Sequence, residues 1–464
     1  MVATKTRRDE RNDSLLDTPL RDLKALRCAA LYGANASGKS NVLRAMRVFS
    51  RMVSKSQRQW NPMGGVPTWD PFALDGVSRN AETEFQIDFV LRQRVYNYGF
   101  RFNQTIFVDE WLKDITKREK QIFCRKTISR PTSTSFEDQL SSLAAQQNGQ
   151  NATEDSNVSV DFPGRNLGAT SEDSKHLDAI TLQTRPNSLF LSSAAQSNHE
   201  FLSNIFKGIV EHFQIISTSF GQPWRLRTAD ICAAEGRKEQ IKAFLAFADF
   251  DIVDVEVTDK EIPANLKGLL DQTEGLLKEI EQESVMTTNS MNSSSRFHKI
   301  KMVHSVTGDQ SYLLDFDEES AGTRAYFYML GPILDVLRDG TLLLIDELES
   351  SLHPHLARQF VRIFNDPALN PKGAQLIFAT HDTNLLDLNL LRRDQIWLTE
   401  KNDEGATVLI PLSDYKVRTD QKIASAYLHG RFGAIPFLDE KWLRAALELP
   451  TDKPTASVSK DEAR

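Results

Sequence analysis

The spacing of hydrophobic positions changes several times along the chain. Residues 24–32 form an apolar run that leads as a predicted strand into a glycine-rich loop, and residues 40–52 place apolar side chains at helical spacing. Residues 82–112 alternate between apolar and polar positions, which is typical of a meander of antiparallel strands. The first part of the chain therefore predicts a strand, a loop and a helix, followed by a β-subdomain.

The middle of the chain combines a polar segment with a mostly helical one. Residues 131–178 are rich in Ser, Thr, Asn, Gln, Asp and Gly and cannot bury much surface, so they predict a flexible insertion. The pattern over 189–283 is mostly helical, with amphipathic stretches at 201–213 and 266–280 and a short strand at 252–257. This part of the chain predicts a helical insertion.

The last third of the chain alternates strands with helices. Two short strands are predicted within residues 298–316, and an apolar helix follows at 321–338. The later elements are buried strands at 341–345, 375–379 and 394–399 and a helix at 354–365. Buried strands that alternate with helices indicate an α/β fold.

The composition places few limits on the class of protein. A chain of 464 residues with 40% hydrophobic and 26% charged residues is typical of a soluble protein of two or three domains. Its apolar runs fall far short of the ~20 residues of a membrane helix, and the N-terminus lacks the apolar core of a signal peptide. Cys28, Cys124 and Cys232 show no metal-ligand spacing, so we expect reduced thiols, a cytoplasmic location and no membrane partner.

The charge balance bears on nucleic-acid binding. A net charge of -7 gives no overall attraction for nucleic acid, although a local basic patch is compatible with it. One cluster could follow a phosphate backbone. Its members are Lys113, Lys117, Arg118, Lys120, Arg125 and Lys126. The acidic balance favours the alternative, a solvated face of a strand and turn.

The glycine-rich loop carries the strongest chemical signal. The sequence from Gly33 to Ser40 fits the pattern G-x-x-x-x-G-K-[ST] of a P-loop. The glycines allow backbone N–H groups to face phosphate oxygens, and the following helix adds its partial positive charge. Lys39 would reach the β- and γ-phosphates, and Ser40 would coordinate Mg²⁺. The residues predicted to bind ATP here are Gly33, Ala34, Asn35, Ala36, Ser37, Gly38, Lys39, Ser40 and Asn41.

A second motif ends the predicted strand at 341–345 with two carboxylates. Asp346 could hold Mg²⁺ through water, and Glu347 could act as a general base on the attacking water. An ordinary buried strand followed by a charged turn has the same appearance. The presence of the P-loop in the same chain favours the functional interpretation.

Two further segments could face phosphate. Thr380-His381-Asp382 follows the strand at 375–379, where His381 could sense or stabilise the γ-phosphate. Ser320 and Gly322 open the helix at 321–338, and a helix N-terminus binds anions. A serine N-cap alone would also explain that helix start. The predicted catalytic residues are Lys39, Glu347 and His381.

The combined motifs resemble those of an ABC-type ATPase. They are the P-loop, the Ser-Ala-Gly-Thr helix start, the Asp-Glu strand, the Ser-Ser-Leu-His turn and Thr-His-Asp. The chain is similar to the branch that contains chromosome-maintenance (SMC), break-repair and OLD-nuclease ATPases. It more narrowly resembles the AAA-type ATP-binding proteins of bacterial abortive-infection, or anti-phage, loci. That closer match rests on residues 32–41, 187–192, 345–354 and 427–436.

The resemblance implies a composite active site. In such ATPases two heads enclose two ATP molecules, and the P-loop of one head faces the signature helix of the other. Ser320, Gly322 and Thr323 would then bind ATP held by a second copy, while 350–353 would form the D-loop at the dimer seam. His381 would be the switch histidine. The implied cofactors are ATP and Mg²⁺, and the implied partner is a second copy of the chain in a head-to-head dimer.

The implied fold is an α/β P-loop NTPase of the ABC/SMC-head type, with an antiparallel β-subdomain and an inserted helical lid. On this interpretation the chain has five parts. They are an N-terminal lobe of the ATPase head (1–130), a polar insertion (131–180), a helical lid (181–296), a C-terminal lobe (297–449) and a disordered tail (450–464).

The chain departs from the family pattern at two points. Relatives usually begin with a strand that bears an Asn-Phe-x-Ser-Phe-like stretch, and this chain lacks that stretch, so the edge of its N-terminal sheet is expected to differ. The glutamine that normally lines Mg²⁺ is not assigned. Gln86 and Gln93 are the alternatives, and each is also explained as a strand residue.

The motifs support several functional hypotheses. The residues after His381 offer no set of clustered carboxylates for a toprim nuclease, so we expect effector activity on a separate chain, such as a toprim-like or RloB-like protein. The first hypothesis is the sensor or regulatory ATPase of an anti-phage system. The alternatives are a DNA-repair or chromosome-maintenance ATPase that clamps DNA, a transporter subunit, and a scaffold that holds ATP without hydrolysing it.

Overall fold

The computed structural model describes most of the chain. The described residues are 2–3, 14–20, 23–129, 156–162, 171–216, 222–233, 236–261, 296–306, 310–417, 422–436 and 439–447. Much of the predicted polar insertion, the predicted helix at 266–280 and the predicted disordered tail at 450–464 lie outside these residues.

The described helices include those predicted at 40–52, 201–213, 321–338 and 354–365, at nearly the predicted bounds. They are α1 (Lys39–Lys55), α2 (Ser171–Gln183), α3 (Phe190–Gln196), α4 (Glu200–His212), α5 (Gln222–Ala233), α6 (Lys238–Phe247), α7 (Ala321–Asp339), α8 (Pro354–Asn365), α9 (Ile423–Leu428) and α10 (Glu440–Ala446). Within the described residues, no helix combines the length and apolarity needed to cross a bilayer.

The strands of the described residues form four sheets and run in chain order from β1 to β16. Their bounds are β1 (Leu15–Asp17), β2 (Lys24–Leu26), β3 (Cys28–Gly33), β4 (Thr83–Leu91), β5 (Arg94–Phe102), β6 (Phe107–Asp114), β7 (Lys120–Ser129), β8 (Ser156–Asp161), β9 (Phe213–Ile216), β10 (Ile252–Glu261), β11 (Arg296–Val306), β12 (Gln310–Asp315), β13 (Leu342–Ile345), β14 (Gln375–Ala379), β15 (Ile396–Lys401) and β16 (Thr407–Pro411).

The core sheet has six strands in the order β16-β15-β3-β14-β13-β9. Strand β16 is antiparallel to β15, and the other pairings are parallel. Because parallel strands end at a common edge, the segments that follow β3, β13 and β14 meet there. These segments are the P-loop, the Asp-Glu turn and the Thr-His-Asp loop.

Both faces of the core sheet are covered, which explains why its strands are apolar along their length. Along β3, Cys28, Ala30 and Tyr32 belong to one hydrophobic cluster, together with residues of α7 and α8. Ala29 and Leu31 belong to another cluster, together with residues of α1. The strand that leads into the P-loop is therefore held from both sides.

The second large sheet is antiparallel and contains β4 to β8 in chain order, which confirms the predicted meander and extends it by two strands. Its inner face packs on α1, where the rings of Phe49 and Phe100 stack at 5.4 Å. Strand β4 alternates between half-buried and exposed residues. This β-subdomain therefore has one covered face, and that face joins it to the helix that follows the P-loop.

Two smaller sheets complete the described structure. Strands β10, β11 and β12 form an antiparallel sheet, and β12 leads through a short 3₁₀ turn into α7. Helices α5 and α6 pack against α7. Strands β1 and β2 form a separate antiparallel pair just before β3.

Two segments differ from the sequence-based expectation. Strand β9 lies within the expected helical lid, yet it pairs in parallel with β13 at the edge of the core sheet. Within the expected polar insertion, β8 pairs with β7, and Leu177 and Ile180 of α2 join the core of the β-subdomain. These elements are short or weakly amphipathic, so their tertiary partners fix them rather than their own periodicity.

Candidate nucleotide-binding site

The P-loop joins β3 to α1, as predicted. Gly38 is the helix N-cap and has a φ of 106°, in the region that favours glycine. A Cβ atom on Gly38 would overlap the Thr407 hydroxyl, and a Cβ on Gly33 would overlap the hydroxyl of Thr399. The close approach of β15 and β16 therefore requires glycine at both ends of the loop.

Two threonine hydroxyls brace the loop from these strands. Ser37 Oγ and Thr399 Oγ1 lie 2.5 Å apart, and Thr399 Oγ1 donates to the carbonyl oxygen of Tyr32 at 3.0 Å. Thr407 Oγ1 donates to the carbonyl oxygen of Ser37 at 2.9 Å. The sequence motif could not reveal this bracing, because the threonines lie 362 and 370 residues beyond Ser37.

The side chain of Lys39 lies against the loop and is only 7% exposed. Its Nζ donates to the carbonyl oxygen of Gly33 at 2.9 Å. Burial lowers the pKa of Lys39, and the negative charges of Asp346, Glu349 and Glu347 act in the opposite direction. The P-loop lysine therefore lies within electrostatic range of the carboxylates that follow β13.

The start of α1 fits a phosphate chain. Its first turn contains no acidic residue and Gly38 supplies no side-chain cap, so first-turn N–H groups are available to an anion. Ser40 lies in this turn, and Asp346 lies near Lys39, so Ser40 and Asp346 would hold Mg²⁺ together with phosphate and water oxygens. When bound, Mg²⁺ neutralises charge on the phosphates.

The donor set also fits this kind of cation. Among the residues that the structure describes, no group of three or more His, Cys, Asp or Glu side chains could enclose a metal ion. Mg²⁺ is commonly bound through one or two protein groups, with substrate phosphates and water completing the octahedron. One hydroxyl and one carboxylate beside a phosphate loop agree with that chemistry.

The Asp-Glu turn begins where β13 ends. Asp346 is half-buried and Glu347 is exposed, and Glu347 has a φ of 51°, which is uncommon for a residue with a side chain. The turn is held by hydrogen bonds from Ser350 N to Glu347 O at 2.8 Å and from Leu348 N to Ala379 O at 3.2 Å. The second bond ties the turn to the end of β14.

His381 follows β14, which lies between the strands of the P-loop and the Asp-Glu turn. Its backbone N–H donates to Glu349 Oε1 at 2.6 Å, while the residue is exposed. The neighbouring Thr380 N–H donates to the carbonyl oxygen of Leu31 at 3.1 Å. The residues predicted to act on phosphate or water therefore follow neighbouring strands at one edge of the core sheet: Lys39, Asp346, Glu347 and His381.

The start of α7, which is predicted to bind ATP held by a second copy, contacts the predicted D-loop of its own chain. Ser320 caps the helix, and its Oγ accepts the N–H of Thr323 at 3.1 Å. A Cβ on Gly322 would lie 3.0 Å from the carbonyl oxygen of Ser351, so the helix start packs on the predicted D-loop. Just before it, buried Glu319 pairs with His304 of β11.

A family comparison decides the class of the protein. The sequence profile of the family described as "AAA domain, putative AbiEii toxin, Type IV TA system" matches residues 28–387, more than half of the chain. The chain belongs to this family. The match covers the P-loop, the start of α7, the Asp-Glu turn and His381. This AAA domain is thus a P-loop ATPase domain, which confirms the expected fold and the expected class of nucleotide.

Solved structures similar to this AAA domain include two SMC heads. One is an SMC head bound to the C-winged helix domain of ScpA, with 14% identity, coverage of 84% of this chain and 94% of that chain, and a TM-score of 0.34. The other is the SMC head domain from Thermotoga maritima, with 11% identity, coverage of 86% and 97%, and a TM-score of 0.35. No curated protein matches the chain.

The structure separates the members of the basic cluster. Arg125 is fully buried, and its guanidinium donates to the carbonyl oxygens of Phe107 at 2.9 Å and Pro186 at 3.0 Å. Lys113 forms an ion pair with Glu119 at 2.8 Å. The exposed members are Lys117, Arg118, Lys120 and Lys126. Because Arg125 is buried and bonded to backbone carbonyls, it is a structural residue of this AAA domain and does not belong to an exposed basic face.

The two candidate glutamines lie outside any described part of the site, and three residues near the site were not predicted. Gln86 is exposed on β4, and Gln93 lies in the β4–β5 turn with a φ of 63°, so the Mg²⁺-lining glutamine stays unassigned. The sequence interpretation missed Thr399, Thr407 and Glu349 as neighbours of the site. For Glu349 a signal existed, because it stands two residues after Glu347 in the Asp-Glu-Leu-Glu stretch.

Proposed function

We propose that this AAA domain hydrolyses ATP and serves as the sensor or regulatory ATPase of a bacterial anti-phage system. The observation that carries the proposal is that the P-loop with buried Lys39 and the carboxylates of Asp346 and Glu347 follow β3 and β13, which flank β14 in one parallel sheet. A phosphate-binding loop alone would support nucleotide binding. An exposed carboxylate at the end of β13, on the other side of β14 from the P-loop strand, supports hydrolysis as well.

The chemical step follows from these positions. Glu347 is exposed, and no hydrogen bond or ion pair with the described residues occupies its carboxylate, so it can accept a proton from a water molecule that attacks the γ-phosphorus. The bond from the γ-phosphorus to the bridging oxygen breaks, and ADP leaves. Lys39 offsets negative charge on the phosphates, and His381 can donate a hydrogen bond to a γ-phosphate oxygen.

The start of α7 supports a composite site formed by two copies. Ser320 and Gly322 are at a helix N-terminus, which attracts anions, and Gly322 packs on Ser351 of the predicted D-loop. Together these segments would present one surface to the P-loop of a second copy. We therefore propose that ATP joins two heads and that hydrolysis releases them.

The family description supports a role in defence. It links the matched AAA domain to AbiEii toxins and type IV toxin–antitoxin systems. We propose that ATP-dependent assembly in the cytoplasm controls a separate effector, such as a toprim-like or RloB-like protein. Co-expression with a neighbouring effector gene should reduce phage yield, and Lys39→Ala should remove that protection.

The decisive test of hydrolysis is ATP turnover by the wild type and by Glu347→Gln. We expect turnover to fall on the order of 10²–10⁴-fold, because the amide cannot act as a base. Glu404→Gln, an exposed change in the β15–β16 turn, should leave turnover unchanged. Absence of turnover in the wild type, or equal turnover in Glu347→Gln, would contradict the proposal.

Dimer formation can be measured with the same variant. Glu347→Gln should accumulate as a dimer in ultracentrifugation when ATP and Mg²⁺ are present, since bound ATP persists. Adding Ser320→Arg should block that dimer, while binding of ATP to each monomer continues. Dimers that form equally well without ATP would contradict the composite site.

The alternative function, a DNA-clamping ATPase, can be tested separately. Since Arg125 is buried, only the exposed lysines and arginine around the β6–β7 turn still support DNA binding. Binding of duplex DNA should weaken steeply between low and moderate salt if these residues neutralise phosphates. Affinity that does not change with salt would dismiss the alternative.

A further inference from the structure

Glu349 connects three parts of the nucleotide site. Its Oε1 accepts the backbone N–H of His381 at 2.6 Å. Its negative charge raises the pKa of Lys39 against the effect of burial. Glu349 itself belongs to the segment that begins with Asp346 and Glu347. One side chain thereby joins the Asp-Glu turn, the histidine loop and the P-loop lysine.

The second oxygen of Glu349 distinguishes it from a carboxylate that only stabilises the fold. Glu349 Oε2 is buried and has no hydrogen-bond partner in the part of the chain that the structure describes. Buried Glu110 offers the contrast, since both of its oxygens accept hydrogen bonds, from Tyr98 Oη and from the N–H groups of Phe190 and Leu191. An unsatisfied buried oxygen opposes stability, which sets Glu349 apart from the fully bonded carboxylate of Glu110.

The loop that carries His381 is also held from its other side. Tyr32 is fully buried, and its hydroxyl donates to the carbonyl oxygen of Asp382 at 3.0 Å. The ring of Tyr427 packs edge-on against Tyr32 at 5.9 Å. The loop is therefore held at the His381 N–H by Glu349 and at the Asp382 carbonyl by Tyr32, while His381 is exposed.

We propose that Glu349 is a positioning residue that sets the backbone of His381, so that the imidazole can reach the γ-phosphate. The inference rests on the proposed function, because it assigns a partner to the proposed switch histidine. Glu349 acts through the N–H of His381 and does not touch phosphate. The rival roles are simple stabilisation of the loop and an electrostatic effect on Lys39.

Four variants separate these roles: Glu349→Ala, Glu349→Gln, His381→Ala and the double variant Glu349→Ala/His381→Ala. Glutamine keeps an oxygen that accepts the His381 N–H but removes the charge. We expect Glu349→Ala to lower kcat on the order of 10–100-fold with KM nearly unchanged, because small misplacements of a catalytic group have effects of this size. Glu349→Gln should stay within a few-fold of the wild type.

The double variant gives the sharpest comparison. If Glu349 acts through His381, the double variant should be no slower than His381→Ala alone. Loss in the double variant that equals the product of the two single losses would overturn the proposal. A Glu349→Gln variant as slow as Glu349→Ala would also overturn it, because the charge near Lys39 would then be the cause.

A second readout does not depend on turnover. Selective ¹³C labelling of the nine histidines allows the ring signal of His381 to be assigned from its absence in His381→Ala. A non-hydrolysable ATP analogue with Mg²⁺ should shift this signal in the wild type and in Glu349→Gln, but not in Glu349→Ala. An equal shift in Glu349→Ala would contradict the positioning role.

The two proposals can fail separately. A wild type without turnover contradicts hydrolysis, whereas the analogue-induced shift of His381 still decides the role of Glu349. Thermal unfolding of each variant provides the control for folding. Loss of the shift in Glu349→Ala together with global unfolding would assign Glu349 to stability and overturn the proposal.

Discussion

The two large sheets of this AAA domain use charged residues in opposite ways. In the antiparallel sheet, Glu110 and Arg125 are fully buried and hydrogen-bonded to backbone groups around 185–191. At the edge of the core sheet, Asp346 is half-buried and Glu347 is exposed. The contrast teaches that burial with hydrogen bonds to backbone groups marks a structural charge, whereas exposure at a strand end marks a charge available to a ligand.

Topology explains the contrast. Parallel strands bring their carboxyl ends to one edge, so residues distant in sequence can share a ligand there. Antiparallel strands alternate in direction and offer no such common edge, and the β-subdomain instead uses its inner face to pack on α1. Glu110 and Arg125 join that sheet, through hydrogen bonds to backbone groups, to the segment that begins α3.

The largest expected effect concerns Arg125, because its removal leaves buried backbone carbonyls without their donor and the buried Glu110 carboxylate without the positive charge that lowers its pKa. Arg125→Met should lower the free energy of unfolding by about 3–5 kcal/mol, measured by urea denaturation. Lys126→Met is the matched control, since Lys126 is exposed on the same strand, and it should stay within ~0.5 kcal/mol of the wild type. Equal losses in both variants would break the comparison between buried and exposed charge.

An intermediate effect is expected at Gly38, whose φ of 106° disfavours any side chain and whose Cβ would overlap Thr407. Gly38→Ala should cost about 1–3 kcal/mol of stability and weaken binding of an ATP analogue by at least about 10-fold, the equivalent of ~1.4 kcal/mol. Calorimetry and urea unfolding would measure the two quantities. Gly76→Ala is the control, because a Cβ there meets no atom within 4 Å. If both variants lost the same stability and the same affinity for the analogue, the bracing of the P-loop by Thr407 would be contradicted.

The smallest expected effect is a difference in alkylation rate between a cysteine of the core sheet and a cysteine of the β-subdomain. Cys28 is buried in β3, and burial raises the pKa of its thiol above the ordinary range. Cys124 is partly exposed on the open face of the β-subdomain. Alkylation by iodoacetamide in the folded protein should therefore reach Cys124 well before Cys28, as measured by peptide mass spectrometry. Faster reaction at Cys28 would mean that the core sheet opens more readily than the β-subdomain.

Local sequence patterns identified much of the fold and of the site. The bounds of α8 and β14 were predicted correctly, because each is a short, strongly patterned segment next to a turn. The catalytic candidates were identified because the P-loop pattern and the Asp-Glu strand end are local in sequence. Strand β9 was missed, since its four residues form a strand only beside β13.

The amino-acid sequence by itself determined the P-loop, the carboxylates after β13 and the histidine after β14, because each depends on a few adjacent residues. Only the tertiary structure decided which residues surround them. Thr399 and Thr407 brace the loop from strands more than 350 residues away, and Arg125 is buried rather than part of a basic face. The physical reason is that burial and hydrogen-bond partners depend on how distant segments pack, which local pattern does not encode.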